Sequence, residues 1–178
     1  MESPMQQAAH QRYALSQILL HWSIVALVIV QWLASDAMSE FFERVEDGEA
    51  GPVPDEPVAL LHAGSGALIL ILMLIRFGVR MRKGAPPLPL DMPAGLKLLA
   101  RLNHWAFYLV LVLLPLSGAA SLFVTEDAAG LHDAGTKALL LLIAAHLAGV
   151  AYHTLIRRDG LIWRMLRPRS AGSRERAW

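Results

Sequence analysis

The sequence predicts an all-α integral membrane protein, a four-helix bundle with both termini on the cytoplasmic side and a short C-terminal interfacial helix. Three observations predict it: a composition suited to lipid, four apolar stretches of spanning length, and a lopsided distribution of charge between the connecting segments. Of the 178 residues, 55% are hydrophobic and only 17% charged, with a mean hydropathy of +0.43, so hydrocarbon suits most of the side chains better than water. The formal net charge of +1 gives no global field that would draw nucleic acid, and the basic residues matter through their positions. Cysteine is absent. That excludes disulfides, thiolate metal sites, iron–sulfur clusters and covalent attachment of c-type haem. Histidine and methionine remain as candidate metal ligands.

A bilayer core requires about 20 apolar residues per helix, and residues 14–34, 59–79, 98–124 and 134–156 each supply them. The first stretch follows Arg12 and so invites comparison with a signal peptide. Its length exceeds an h-region and no A-x-A site follows, so it is expected to stay in the mature chain as the first span. Residues 36–57 form an acidic, proline-bearing loop with Asp36, Glu40, Glu43, Glu46, Asp47, Glu49, Asp55 and Glu56 against the single base Arg44. This loop belongs outside. The connection between spans two and three carries Arg80, Arg82, Lys83, Lys97 and Arg101 around Pro86, Pro87, Pro89 and Pro93. The tail, residues 157–178, carries Arg157, Arg158, Arg164, Arg167, Arg169, Arg174 and Arg176. Both belong inside by the positive-inside rule. Residues 160–166 mix apolar side chains with Arg164, which suits a short helix lying among headgroups. The whole chain, 1–178, reads as one membrane domain.

Seven histidines are present. His10 falls in the polar lead, where water solvates it. The other six lie on helices or at their ends, and a polar side chain within a span needs a partner. For any one of them, hydrogen bonding across the bundle is a sufficient explanation; the constellation asks for more. Counted at about 1.5 Å per residue from the charges that mark the helix ends, His21 and His146 are level on the cytoplasmic side. His62 follows Pro57, and His132 follows Asp127, by five residues each, so these two are level near the outer surface. His104 and His153 are three or four residues from Arg101 and Arg157 and are expected at the cytoplasmic boundary.

His132 and His146 are fourteen residues apart on one helix, which returns the side chain to within about 40° of its starting direction after a climb of about 21 Å. One face thus presents two imidazoles at two heights, with His21 closing the inner site and His62 the outer one. That pattern suits two stacked, non-covalent haem b groups with bis-histidine ligation, a form that favours electron transfer over oxygen binding. Gly64, Gly66 and Gly118 would let a porphyrin approach the backbone, or would serve close helix packing. Arg76, fourteen residues after His62, either snorkels to the cytoplasm or pairs with a haem propionate.

With these residues placed, the chain resembles the bacterial cytochrome b561 family, which is related to the cytochrome b subunits of nickel–iron hydrogenases. The resemblance is carried by Ser16 through Trp22 with the His21-Trp22 pair, by Leu61-His62 through Gly66 followed by Arg76, by Asn103-His104, and by His132, His146 and His153. It implies a multi-pass protein of the bacterial inner membrane holding two haem b groups and exchanging electrons with ubiquinone or another membrane quinone. By position, His21 and His146 would be axial ligands of the cytoplasmic-side haem iron, and His62 and His132 of the periplasmic-side haem iron. His153, Trp22 and Ser16 are the quinone candidates; a boundary histidine can hydrogen-bond a quinone carbonyl and deliver a proton, or simply hydrogen-bond at the interface.

Some family members resemble superoxide:ubiquinone oxidoreductases. An acidic outer loop repels an anion unless Lys137 makes a local positive mouth, and it suits a basic soluble cytochrome equally well. The periplasmic electron donor is therefore superoxide or a redox protein. Two other readings compete with a quinone-linked oxidoreductase: a haem-bearing anchor subunit relaying electrons for a separate dehydrogenase or hydrogenase, and a transporter or histidine-lined zinc site that needs no haem.

Overall fold

The computed structural model describes residues 12–48, 51, 52, 54–88 and 92–168; His10, Glu49, Pro89, Arg169, Arg174 and Arg176 lie outside them. Four helices are long and apolar enough to cross a membrane. They are α1 (Leu15–Leu33), α3 (Glu56–Lys83), α4 (Ala94–Phe123) and α5 (Ala128–Ala151), the last running on through a π-helical turn, Tyr152–Arg157. A shorter helix, α2 (Ser35–Glu46), follows α1, and α6 (Trp163–Leu166) closes the described chain. No strand occurs among the described residues.

Each helix end has a local cause. The side chain of Gln17 accepts a hydrogen bond from the Ala14 N–H at 3.2 Å and starts α1. Pro57 stands in the first turn of α3, where its missing N–H costs nothing. At the other end, Arg80, Arg82 and Lys83 complement the negative end of the helix dipole, and Gly84 takes φ 69° to end it.

The segment after α1 differs from the expected loop. Ala37, Met38, Phe41, Phe42 and Val45 recur at helical spacing while the acids take the other face, so residues 35–46 fold as an amphipathic helix that packs on α3. α1 keeps close to its expected span, whereas α3, α4 and α5 run longer than their apolar cores suggest. α4 begins at Ala94, four residues before the expected start, and α5 begins at Ala128, six before. Charged and small residues extend a helix beyond the hydrocarbon without ending it.

The closely packed pairs are α1 with α3, α3 with α4, α4 with α5, and α2 with α3. Ile24, Ile69, Met73 and Leu111 form the buried core at mid-bundle, with Leu27, Val28, Leu72, Phe107, Tyr108, Val112 and Leu139 against it. Leu139 stands midway between His132 and His146, so this apolar layer separates the two histidine levels. Most large apolar side chains face outward instead; Leu141, for instance, is 73% exposed in the middle of α5. Lipid tails cover such a surface at no cost.

Candidate functional site

The fold brings the histidines together in two groups. On the acidic side, His62 of α3 and His132 of α5 have ring centroids 6.3 Å apart at an interplanar angle of 62°. Towards the basic side, His21 of α1 and His146 of α5 are 6.4 Å apart at 64°. Neither α1 with α5 nor α3 with α5 is a closely packed helix pair, so both histidine pairs reach across the looser spaces of the bundle.

The outer rings are oriented by backbone. His62 Nδ1 lies 3.2 Å from the Gln31 carbonyl oxygen and His132 Nδ1 lies 3.0 Å from that of Leu114. A carbonyl oxygen only accepts, so each Nδ1 carries the proton and each Nε2 keeps a lone pair for a metal. Gln31 also donates through Nε2 to the His62 carbonyl and to Ser65 Oγ, and Ser65 Oγ donates to Leu61 O at 2.7 Å. These bonds tie α1 to the His62 turn and satisfy the buried Ser65. Ser117, also buried, donates to Leu114 O at 2.9 Å and stands 3.4 Å from His132 Nδ1.

Gly118 lies close against His132. A Cβ there would come within 3.1 Å of the ring's Cε1 and Nδ1 atoms. A Cβ at Gly66 would meet the Gln31 side chain at 3.3 Å, whereas one at Gly64 meets nothing within 4 Å. The protein itself therefore explains Gly66 and Gly118. Gly64 is the position where space beside the backbone is left over.

The inner group is larger than the sequence indicated. His104 lies 5.5 Å from His146, centroid to centroid, and Phe107 lies 5.8 Å away, both edge-on. His104 was expected at the boundary beside Arg101, apart from His146; the structure instead sets the two rings side by side, with α4 starting ten residues earlier at Ala94. His104 Nδ1 donates to Ala100 O at 2.6 Å. Arg76 donates to Gln17 O at 3.0 Å, lies near the Tyr108 side chain, and is within electrostatic reach of His21, His104 and His146. It is thus held in the bundle rather than drawn out to the boundary. Two of its neighbours are neutral acceptors, and a guanidinium has five donors.

At the basic end, two of the three quinone candidates have their polar atoms engaged. Trp22 Nε1 donates to Met165 O at 3.0 Å, docking α6 on α1, and Ser16 Oγ accepts from Lys83 Nζ at 3.0 Å. His153 is different. It lies in the π-helical turn, with Nδ1 2.5 Å from Asp159 Oδ2. Partial burial pushes the Asp159 carboxyl up, but the His153 hydrogen bond, the Leu161 N–H and the charges of His153 and Arg157 outweigh it and hold the group below its ordinary range. Asp159 escaped the sequence reading; the signal was a carboxylate six residues after a boundary histidine in a mostly basic tail.

A family model described as prokaryotic cytochrome b561 matches residues 12–168. The chain belongs to the prokaryotic cytochrome b561 family. Among cytochrome b561 relatives, it is 31% identical over 161 residues to cytochrome b562 of Cereibacter sphaeroides, covering 88% of this chain and 96% of that protein. It is 25% identical over 180 residues to "Cytochrome b561 homolog 1" of Escherichia coli (strain K12), covering 87% and 97%. A protein named "Probable superoxide oxidase CybB" from Yersinia pestis is 31% identical over 118 residues, 64% of this chain and 60% of that one. The cytochrome b561 family is one of redox-active, multi-pass proteins of the bacterial inner membrane.

Membership implies haem b, and the residues present fit it. Two metal–nitrogen bonds of about 2.0 Å, plus the half-widths of two imidazoles, come to about 6 Å between the centroids of two histidines that would share one metal. Both pairs meet that spacing. Among the described residues no group of three or more His, Cys, Asp or Glu is arranged to hold a metal ion by itself; the imidazoles meet at two levels, His62 with His132 and His146 with both His21 and His104.

Proposed function

We propose that this cytochrome b561 is a di-haem transmembrane electron carrier linked to the quinone pool. The observation that carries the reading is the two-level pairing of His21 with His146 and of His62 with His132, at nearly equal spacings. Bound haem b would supply one-electron iron chemistry at each level. His62 and His132 would ligate the outer haem through Nε2, their other nitrogens being held by carbonyls. His21 and His146 would ligate the inner one, and Arg76 would offer its remaining donors to a propionate. Quinone would bind at the basic end against His153, whose Nε2 is not engaged by Asp159. Trp22 and Ser16 would shape that site through their surfaces, since their polar atoms have protein partners.

The name of the Yersinia pestis relative favours superoxide as donor. Local charge favours a basic redox protein. Lys137 is tied to Asp133 at 2.7 Å, which cancels the positive mouth it would otherwise make, and the outer face of α2 is acidic. Rapid mixing of oxidised protein with superoxide or with a reduced basic cytochrome separates the two donors by which one reduces the haems.

The deciding measurement is a reduced-minus-oxidised visible spectrum with haem quantified per chain. Two b-type haems are expected. A colourless preparation from haem-replete cells overturns the proposal.

A further inference from the structure

We propose that Asp159 is a positioning residue for His153, forming a dyad that delivers one of the two protons needed when quinone is reduced at the basic end; this rests on the quinone reading above. The chain is shaped to make the contact. α5 widens into the π-helical turn Tyr152–Arg157, a form that recurs at functional sites. The backbone then reverses at Arg158, with φ 51° and ψ 35°, and Gly160 adopts φ 71°. The Asp159 N–H returns onto the His153 carbonyl at 3.4 Å. Oδ2 of the same residue reaches His153 Nδ1 at 2.5 Å, while Oδ1 accepts from the Leu161 N–H at 3.2 Å. Arg157 Nε stands 3.6 Å from Oδ2, and the Tyr152 ring lies 5.5 Å from that of His153.

A carboxylate accepts and does not donate, so it fixes the proton of the imidazole on Nδ1 and makes Nε2 the working nitrogen. Reduction of a quinone to the quinol takes two protons and two electrons, which bound haem b would supply one at a time. In the imidazolium form the Nε2–H bond of His153 breaks as an O–H bond forms on one quinone oxygen. The imidazole is left neutral, with Nδ1–H still held by Asp159, and recovers its proton from cytoplasmic water; the second oxygen takes its proton from solvent. Asp159 stabilises the charged ring before transfer and keeps its orientation through the cycle.

The test uses the full-length, haem-loaded protein, reduced and then mixed with decylubiquinone over a range of concentrations, with haem reoxidation followed by absorbance. For Asp159→Asn, the maximal rate should fall about tenfold while the half-saturating concentration, the haem content and equilibrium retention of decylubiquinone stay as in the parent. Asp159→Glu should recover much of the rate, because it restores the carboxylate charge that an asparagine lacks. An unchanged maximal rate in Asp159→Asn overturns the dyad, as does a loss confined to quinone retention, which would make Asp159 a structural tie. His153→Ala, lacking the proton carrier, should be at least as slow. Failure of the parent protein itself to pass electrons to decylubiquinone would instead remove the quinone reading and the dyad with it, while a normal rate in His153→Ala would place quinone elsewhere.

Discussion

At the acidic end, His62 and His132 both lean on carbonyls of neighbouring helices; at the basic end, His146 is bracketed by the rings of His104 and Phe107, with Arg76 close to both inner histidines. The spacings of the two pairs are almost the same, yet the forces around them differ. A backbone hydrogen bond fixes ring direction and raises the basicity of the free nitrogen. A buried cation acts on charge instead, favouring the less positive state of whatever is bound. On the di-haem proposal, the outer pair would thus be arranged for position and the inner pair for potential.

The harshest way to break this comparison is to delete a ligand on one side. His62→Ala or His132→Ala should leave about one haem per chain with the inner spectrum intact, and His21→Ala or His146→Ala should leave the outer one. A pyridine haemochrome assay alongside the visible spectrum reads both, and loss of both haems from every variant in folded protein would refute two separate sites. Next in size is Gly118→Ala, whose new methyl would meet the His132 ring at 3.1 Å. Outer-haem occupancy should drop below half while the inner haem remains; full occupancy would show that the ring has room to yield.

The inner side is sharpened by Arg76→Gln. Loss of the cation should lower the inner midpoint potential by on the order of 60 mV, a tenfold change for one electron, and move the outer potential far less. Redox titration decides; equal shifts at both haems would remove the assigned contrast. The smallest effect is that of Gln31→Leu, which removes the bonds to the His62 carbonyl and Ser65. A cost of about 1–2 kcal/mol should appear as earlier thermal loss of the outer haem. Equal thermal sensitivity of the two haems in this variant would show that the Gln31 clamp serves the whole bundle.

The membrane architecture was legible because a bilayer imposes one length and one polarity on every span, and the four apolar stretches satisfy both. The adjacency of His21 to His146 and of His62 to His132 was legible for a related reason: helix rise converts residue counts to depth. That conversion failed for His104, since Arg101 marks the edge of the apolar core while the helix itself starts at Ala94. α2 was hidden by its acids, which obscured the apolar recurrence of Ala37, Met38, Phe41, Phe42 and Val45. Gln31 and Asp159 were missed because their roles are to hold another residue, and only contacts reveal such roles. Gln31 did leave a trace, as a polar side chain within an apolar span.

Because α5 carries His132 and His146 on one face, it behaves as a shaft with two cams. Any turn of that helix about its axis, whether driven by lipid thickness, a bound partner or a substitution along its length, swings both imidazoles through the same angle. Adjustments through α5 are therefore shared by the two levels. Independent adjustment has to come from α1 for the inner level and α3 for the outer, the two helices whose histidines have no counterpart on their own strand of the bundle.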